Sequence, residues 1–585
     1  MMTPTSIEEF PGFRSASFLI YEVHPTSRSL GRWRGPSLAA LLTELFTVEH
    51  VPELAEGWSQ LPEVPNLSDI LPLSISIKND ENMAALKQRL AQISDPKHKD
   101  FGKHLSAAEV RTLRRPPQDR TDTVLAWLAK SGLAGAEVHD DWIKVNSTVR
   151  EANDILGANI AYFALAGKQP VMRSTGYGVE EGGDKVARTE SRRSRESRKR
   201  DGRRSEEESK LTRARIEARR EAAEIQARQV PDEPIDPPEG SVPAEKPPCS
   251  DQTTPDCLRE LYNFYYNATT GDDGDAEAGT FSDVLLLVAG FLEQNLFHPD
   301  THDFMNEYAP YIPESVRNVT IELINGGQDP QIMSKAGMEA ALDVQYALSL
   351  GYPANIVYSV TGGRGEKLDA TGQPMAESRS DNEPYLEFLE YLLAKDDDAD
   401  LPHVISISYA DDEQGVPREY ALKVCDLFAA LTSRGVSILV ATGDGGSRGV
   451  RYGDCRSNDG LNRPITMASF PATCPYVTAI GAVNQVAPPQ VATFSTGGFS
   501  IYFDRPAWQA DAVEGYIAAL DGRLEGHYEA GGRAIPDVAS TPVLAAMFAL
   551  VNDARARRGL SRTGWLNPRL YSDEVRAVMK DVVGV

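Results

Sequence analysis

Two carboxylates stand one helical turn apart in the segment 338–346, and such a pair can do acid–base chemistry. Glu339 and Asp343 are at positions i and i+4 of an alanine-rich apolar stretch, so on a helix both side chains project from one face. Close carboxyl groups can share a proton and split their titration. The same spacing also occurs on a solvated helical face, and the residues alone leave both interpretations open.

A third carboxylate follows a strand of the buried type. The apolar run 437–441 leads directly into Thr442, Gly443 and Asp444. In open sheets of parallel strands the carboxyl ends of the strands carry the chemistry, so Asp444 is a candidate site residue. The alternative is an Asx-turn residue that shapes the loop.

The elements that must position these side chains alternate between strands and helices. Apolar, β-branched runs suited to strands buried on both faces lie at 284–289, 356–360, 404–409, 437–441 and 476–480. Helical patterns lie at 338–350, 385–395 and 419–433. This alternation predicts an α/β fold, a parallel sheet with flanking helices, over residues 249–585.

The upstream region has a different pattern. Leu73, Ile75 and Ile77 alternate with polar residues as a half-buried strand does, and helical spacing follows at 83–93. Further helices are expected at 106–113, 122–131 and 149–156, and strands at 142–145 and 160–163. The pattern predicts a compact α+β domain of the ferredoxin-like type at 48–167, after an N-terminal segment 1–47 without a convincing signal peptide.

Residues 168–248 are predicted to be a charged linker. Between Asp184 and Arg228 there are 16 Lys+Arg and 10 Asp+Glu, and such a segment cannot bury enough apolar surface to offset chain entropy. Its dibasic pairs, Lys199-Arg200 and Arg203-Arg204, also allow a processing region. The sequence leaves a solvated linker and a processing site open.

Composition narrows the function further. The 585 residues carry a formal net charge of -25, which argues against a nucleic-acid partner because such binders need a basic footprint. No apolar run approaches the roughly 20 residues of a membrane-spanning helix. We expect a monomer without a membrane span.

A series of motifs in 249–585 resembles the sedolisin family of serine-carboxyl peptidases, most closely its secreted tripeptidyl-peptidase branch. The upstream domain resembles that family's inhibitory prodomain, through 94–98 and 102–106. The matching blocks of the peptidase region are Gly326–Pro330, the helix with Glu339 and Asp343, Val404–Tyr409, Ala441–Asp444, Phe470–Gly481, Ser495–Ser500 and Gly532–Val538.

The resemblance implies a subtilisin-like fold and peptidase chemistry at acidic pH. By that likeness Glu339 is the general base, Asp343 orients it, and Asp444 donates a hydrogen bond to the oxyanion. The implied partners are a peptide or protein substrate and the chain's own prodomain, and the implied location is extracellular. A carboxyl can donate to an oxyanion only when it is protonated, which agrees with work in acid.

The chain departs from the family pattern at the nucleophile. In the family a Gly-Thr-Ser block lies some tens of residues beyond Pro-Asp-Val. Here Pro536-Asp537-Val538-Ala539 is followed at once by Ser540 and a helical pattern, so an internal deletion is inferred near 539/540. Ser540 could be a substitute nucleophile or a helix-capping serine; we favour the cap, because a misplacement of about 1 Å can cost a factor of about 100.

A second departure concerns calcium, which the family binds through an Asp-Ile/Val pair and a following glycine-rich loop. Asp581 and Val582 match the pair, and the sequence ends at Val585. Calcium takes six to eight oxygen ligands. We therefore expect an incomplete calcium site and a truncated C-terminus.

Cysteines and sequons add secondary expectations. Cys249 and Cys257 are the favoured disulfide, Cys455 and Cys474 form a second nearby pair, and Cys425 is expected to be a buried free thiol. Sequons at Asn66, Asn146, Asn267 and Asn318 are glycan acceptors if the chain is secreted.

Two hypotheses cover these features. The first is an acid-acting, tripeptidyl-peptidase-like enzyme made as a zymogen, whose sequence is incompletely represented because exon boundaries are misplaced. The second is a catalytically dead pseudo-peptidase that binds peptides or partners. Transcript sequence across Ala539 and Ser540 separates the two.

Overall fold

The structure is a computed structural model with two compact units, formed by 1–85 with 111–201 and by 86–110 with 202–585. It describes residues 45–50, 58–77, 79–165, 171–174, 176–180, 187–191, 253–266, 282–373, 375, 379–450, 455–486, 489–539 and 541–579.

The N-terminal part of the chain forms small antiparallel sheets with helices between the strands. Its strands are β1 (Leu45–His50), β2 (Trp58–Gln60), β3 (Ile70–Ile77), β4 (Glu137–His139), β5 (Trp142–Thr148), β6 (Ala161–Leu165), β7 (Val171–Arg173), β8 (Gly176–Glu180) and β9 (Ala187–Ser191). Its helices are α1 (Asp80–Ser94), α2 (Ala107–Arg114), α3 (Gln118–Lys130) and α4 (Val149–Leu156).

The strand order β4-β5-β3-β9 is the ferredoxin-like order, with every neighbour antiparallel. Helix α4 begins where the sequence predicts, because Thr148 and Glu151 form a reciprocal capping box. The predicted closing strand near 160–163 is instead β6, which joins β2 and β7 in a separate sheet. The true fourth strand is β9.

Strands β7, β8 and β9 lie in the segment 168–248 that the sequence predicts to be linker. Their backbone pairs with β6, β1 and β3 respectively. The sequence prediction rested on the charge and the scarcity of apolar side chains at 184–228. Only β9 lies in that run, since β7 and β8 precede it, and an edge strand can carry charged residues and still pair through its backbone. The dibasic pairs lie outside the described residues.

The C-terminal part forms the larger sheet. Its strands are β10 (Leu285–Gly290), β11 (Thr320–Ile324), β12 (Asn355–Thr361), β13 (Val404–Ile407), β14 (Asp411–Asp412), β15 (Ser437–Ala441), β16 (Ser469–Phe470), β17 (Thr478–Gly481), β18 (Val483–Val486), β19 (Pro489–Val491), β20 (Gly498–Asp504), β21 (Gly532–Ile535) and β22 (Val538–Ala539). Its helices are α5 (Pro255–Leu261), α6 (His298–Tyr308), α7 (Met338–Gly351), α8 (Tyr385–Leu393), α9 (Arg418–Ser433), α10 (Ala510–Leu520), α11 (Val543–Arg557), α12 (Asn567–Leu570) and α13 (Asp573–Arg576).

Seven parallel strands make the central sheet, in the order β11-β12-β10-β13-β15-β17-β22. Strand β10 is buried on both faces, as its apolar run predicts. Its Leu286 and Val288 pack in one cluster with apolar residues of α7 and α11. Phe291, just beyond β10, contacts Phe388 of α8 edge to face at 5.4 Å. The fold class is the predicted α/β one, and β11 and β22 complete the sheet.

The disulfides differ from the expected pairing. Cys425 on α9 is bonded to Cys474, with Cα atoms 5.5 Å apart, and Cys455 is a half-buried free thiol. The expectation of a free Cys425 and a Cys455–Cys474 pair is therefore wrong, because α9 packs its buried face on the turn that carries Cys474. Cys257 is disulfide-bonded; Cys249, its predicted partner, lies outside the described residues.

Candidate active site

Asp343 is the fully buried carboxyl of the candidate site. It lies in the second turn of α7 and is only 1% exposed. The Ser408 hydroxyl, just beyond β13, donates a hydrogen bond to Asp343 Oδ1 at 2.9 Å. Burial and the neighbouring Glu339 carboxylate raise the pKa of Asp343 well above its usual range, and the Ser408 hydrogen bond opposes that rise.

Glu339 lies one turn earlier on the same face, in the first turn of α7. The side chain is half-buried. Burial raises its pKa to about 7, and repulsion from the Asp444 carboxylate adds to the rise. A helix N-terminus favours an anion, so the desolvation of this carboxyl outweighs the helix dipole. Glu339 can therefore exchange a proton near neutral to mildly acidic pH.

Asp444 completes the group from the end of β15. The residue is exposed, and partial burial of its carboxyl raises the pKa above its usual range. Because its charge acts on Glu339, the two carboxyls lie within electrostatic range of each other. The structure thus brings Glu339, Asp343 and Asp444 together from a helix and a strand end that are a hundred residues apart in the chain.

The loop that carries Asp444 is held on both sides. Thr496 accepts from the Gly445 amide through its hydroxyl at 3.1 Å, and its own amide donates to the Gly443 carbonyl at 3.0 Å. Gly443 has φ of +94°, and a Cβ there would lie 2.0 Å from Val450 Cγ1. Only glycine fits both the space and the left-handed backbone.

Two buried tyrosines, Tyr358 and Tyr409, lie within electrostatic range of Asp343. Tyr358 of β12 donates its phenol to the Gln294 carbonyl at 2.8 Å. Burial raises the pKa of Tyr358 and of Tyr409 above the usual range, and the charges of Asp343 and Glu339 act in the same direction. Both phenols stay neutral, so they add no charge to the group of carboxyls.

The chain approaches the predicted nucleophile position along β22. Asp537, just before this strand, accepts from the Ala479 amide at 2.8 Å and from the Tyr571 hydroxyl at 2.7 Å. It also forms a fully buried ion pair with Arg533. This network fixes the exit of the strand at Ala539, and α11 begins at Val543.

The remaining predicted site residues lie outside the described residues. They are Ser540, Asp581 and Val582. Within the described ranges no group of three or more His, Cys, Asp or Glu side chains is arranged to hold a metal ion. The catalytic role of Ser540 and the calcium site therefore stay predictions.

Ser408 and Thr496 are site residues that the sequence motifs contain but whose roles the sequence does not reveal. Ser408 follows β13 directly, and a polar residue just past a buried parallel strand is the signal that identifies such positions. Thr496 has no such signal, because its contact with Gly445 depends on a loop fifty residues away.

The chain is similar to known proteins over most of its length. Residues 56–184 match the family model described as Pro-kumamolisin, activation domain. A probable tripeptidyl-peptidase SED3 of Arthroderma benhamiae is 32% identical over 549 residues, which cover 90% of this chain and 85% of that protein. A tripeptidyl-peptidase SED4 of Arthroderma otae is 31% identical over 574 residues, covering 92% and 87%.

The chain belongs to the sedolisin family of serine-carboxyl peptidases, in the branch of the tripeptidyl-peptidase SED proteins. Among solved structures, a Pseudomonas sedolisin aligns with 53% of this chain and 85% of its own, at 16% identity and a TM-score of 0.34. Within the described residues, no helix has the length and apolar character needed to cross a bilayer.

Proposed function

We propose that this chain represents an acid-acting, tripeptidyl-peptidase-like enzyme made as a zymogen. The observation that carries the proposal is the group of three carboxyls with raised pKa values, Glu339, Asp343 and Asp444. Similarity to tripeptidyl-peptidases over most of the chain supports the substrate class, and the activation domain supports the zymogen. By family relation we also propose secretion and glycosylation at exposed sequons such as that of Asn318.

The carboxyls have separate roles in this proposal. Glu339 in its ionised form removes the proton from the nucleophile and later returns it to the leaving amine. Asp343 accepts from Ser408 and positions Glu339. Asp444 keeps its proton in acid and donates a hydrogen bond to the tetrahedral oxyanion.

The nucleophile is the part that this sequence lacks. The family's Gly-Thr-Ser block would lie between β22 and α11, and only Ser540, Thr541 and Pro542 separate Ala539 from Val543. We propose that the chain with this junction does not cleave unblocked tripeptidyl substrates near pH 4. Turnover that Ser540→Ala abolishes would contradict this statement.

The same junction favours a second candidate function, a pseudo-peptidase that binds peptides without cleaving them. A chain with this junction retains the three carboxyls of the candidate site and the loop of Asp444, but it lacks the nucleophile. Transcript sequencing across Ala539 and Ser540 is the first test. A messenger that encodes a Gly-Thr-Ser segment there supports the enzyme, and a messenger with this junction supports the binding protein.

Assays of both forms of the chain complete the test. If a Gly-Thr-Ser segment is present, Glu339→Gln and Asp444→Asn each suppress cleavage of an unblocked tripeptidyl substrate at pH 4. Glu314→Gln, at an exposed residue that begins the short 3-10 helix Glu314–Val316, is the matched control and retains activity. Unchanged rates in the Glu339 or Asp444 variant contradict the assigned roles. We propose calcium as the family's ion, and for it the test is titration of the full-length chain with the metal alone.

A further inference from the structure

A histidine from the N-terminal half of the chain is inserted into the larger unit, far from the carboxyl site in sequence. The segment Leu86–Val110 belongs to that unit. The Leu105 amide donates to the Ser433 carbonyl at 2.9 Å, and Lys87 forms an ion pair with Asp426 at 2.6 Å. Between these contacts, the imidazole of His104 occupies a close-fitting socket.

Two glycines form the walls of the socket. A Cβ added at Gly435 would lie 2.8 Å from His104 Cδ2, and one at Gly564 would lie 2.6 Å from Cε1. Both glycines have positive φ, at +89° and +63°. Contact on two sides of the ring with no space for a methyl group means that the socket is shaped for this imidazole.

The hydrogen bonds fix the protonation state of the ring. Nε2 lies 2.9 Å from the carbonyl oxygen of Arg562. A carbonyl only accepts, so Nε2 carries the proton and Nδ1 is the bare nitrogen. Nδ1 is buried and has no hydrogen-bond partner among the described residues. A proton added there would place a charged N–H where no acceptor receives it.

The charges around the socket also oppose protonation. The guanidinium groups of Arg562 and Arg555 repel a cation at His104, while Asp398 attracts it. Asp398 is shared, because its carboxylate also pairs with Arg434. A second buried imidazole, His403, also faces the Arg562 charge. Arginines therefore outnumber the one carboxylate that faces the ring.

We propose that His104 is an acid-sensitive latch that holds the N-terminal part of the chain on the peptidase unit at neutral pH and releases it in acid. Once the chain is cut between 191 and 253, the segment is held only by non-covalent contacts. Protonation of the docked ring costs desolvation without a new hydrogen bond and adds a positive charge beside arginines. Protonation of the released ring costs neither.

The sign of the pH effect follows from burial. Burial lowers the pKa of docked His104 below its ordinary 6.5. The hydrogen bond to the Arg562 carbonyl opposes this shift, and the charges of Arg562 and Arg555 add to it. A group whose pKa is lowered on docking supports the docked state above its free pKa, and this support falls as the pH decreases below 6.5. Each pH unit between the free and docked values weakens docking about tenfold.

The inference rests on the zymogen part of the proposed function, but its test does not require catalysis. A site for a sequence-specific protease is introduced at Lys199-Arg200 of the full chain, the chain is cut, and retention of the N-terminal fragment is measured by gel filtration and by fragment Kd at pH 7.5 and pH 5. We expect retention at pH 7.5 and release toward acid. A peptidase unit that is inactive gives the same readout.

His104→Gln is the decisive variant, since the glutamine amide can still donate to the Arg562 carbonyl but does not titrate. Between the two pH values, we expect the Kd of the variant to rise less than the Kd of the wild type. His98→Gln is the matched control, on the same segment, where Nδ1 of His98 accepts from the Asp100 amide. The control keeps the wild-type ratio.

If the ratio of the Kd at pH 5 to the Kd at pH 7.5 is the same in His104→Gln and in wild type, the proposal is overturned. If His104→Gln fails to dock at any pH, the pKa of His104 itself is the test. It is measured by NMR titration of ring-labelled histidine in the uncut chain and in the released fragment. A pKa lower in the uncut chain supports the latch, and equal values overturn it.

Discussion

The Ser408 hydroxyl donates a hydrogen bond to the buried Asp343 carboxyl at 2.9 Å, and this bond opposes the burial that raises the pKa of Asp343. Ser408 comes from the sheet and Asp343 from a helix packed on that sheet. The bond therefore ties the orientation of the carboxyl pair to the central sheet. The first expected consequence is a pH-dependent effect on stability.

Ser408→Ala should destabilise the protein more at pH 8 than at pH 4. The hydrogen bond stabilises the ionised Asp343, and hydrogen bonds to charged groups contribute about 1.5–3 kcal/mol. In acid Asp343 is protonated, so removal of the Ser408 hydroxyl costs less stability. Ser406→Ala is the control, because Ser406 is buried on β13 and its hydroxyl has no partner among the described residues. Denaturant unfolding at both pH values is the measurement. Equal losses in Ser408→Ala at pH 4 and pH 8 would contradict the role of the bond.

Glu339→Gln should make the protein more stable relative to wild type as the pH rises. The pKa of Glu339 is raised from 4.5 to about 7 in the folded chain. Such a group favours the folded state below pH 4.5, and this contribution is lost between pH 4.5 and 7. The gain at pH 8 relative to pH 4 should be on the order of 3 kcal/mol. Glu314→Gln should show no such trend, and a flat difference for Glu339→Gln would mean that the carboxyl ionises normally.

The disulfide between Cys425 and Cys474 should be a large contribution to stability. The two cysteines are 49 residues apart, and closing a loop of that length stabilises a protein by about 4 kcal/mol in the chain-entropy view. Replacing both by alanine should lower the free energy of unfolding by roughly that amount. Cys455→Ala, at the free thiol, should change it by less than about 0.5 kcal/mol. A double variant as stable as wild type would show that the bond contributes nothing.

The sequence predicts the large sheet well because its strands are buried on both faces. Continuous apolar runs such as 437–441 have few alternatives to a central strand. β9 escapes prediction because it lies within a charged segment, and its place in the sheet is given by backbone pairing with β3. The Cys425–Cys474 bond is also missed. Nearness in sequence favours Cys455 as the partner of Cys474, and only the packing of α9 identifies Cys425 as the true partner.

For the candidate site, the spacing of Glu339 and Asp343 is local and therefore readable from the chain. Asp444 is identified by its place after a strand. Their mutual effect on pKa depends on the parallel register of β13 and β15 and on the packing of α7, and no sequence spacing encodes it. The supporting contacts of Ser408 and Thr496 belong to the same class of long-range information.

The last prediction concerns a buried ion pair that supports the sheet edge. Lys395 and Glu322 are joined at 2.8 Å with side chains 4% and 2% exposed, and the Tyr391 hydroxyl donates to the same carboxylate at 2.7 Å. Lys395→Met leaves a buried carboxylate without its cation and should cost about 3–5 kcal/mol, whereas Lys395→Met combined with Glu322→Gln should recover part of that loss. The exposed pair Arg463 and Asp459 is the control, and breaking it should cost less than about 1 kcal/mol. Urea unfolding measures all the variants, and a single variant no less stable than the double one would show that the carboxylate does not depend on Lys395.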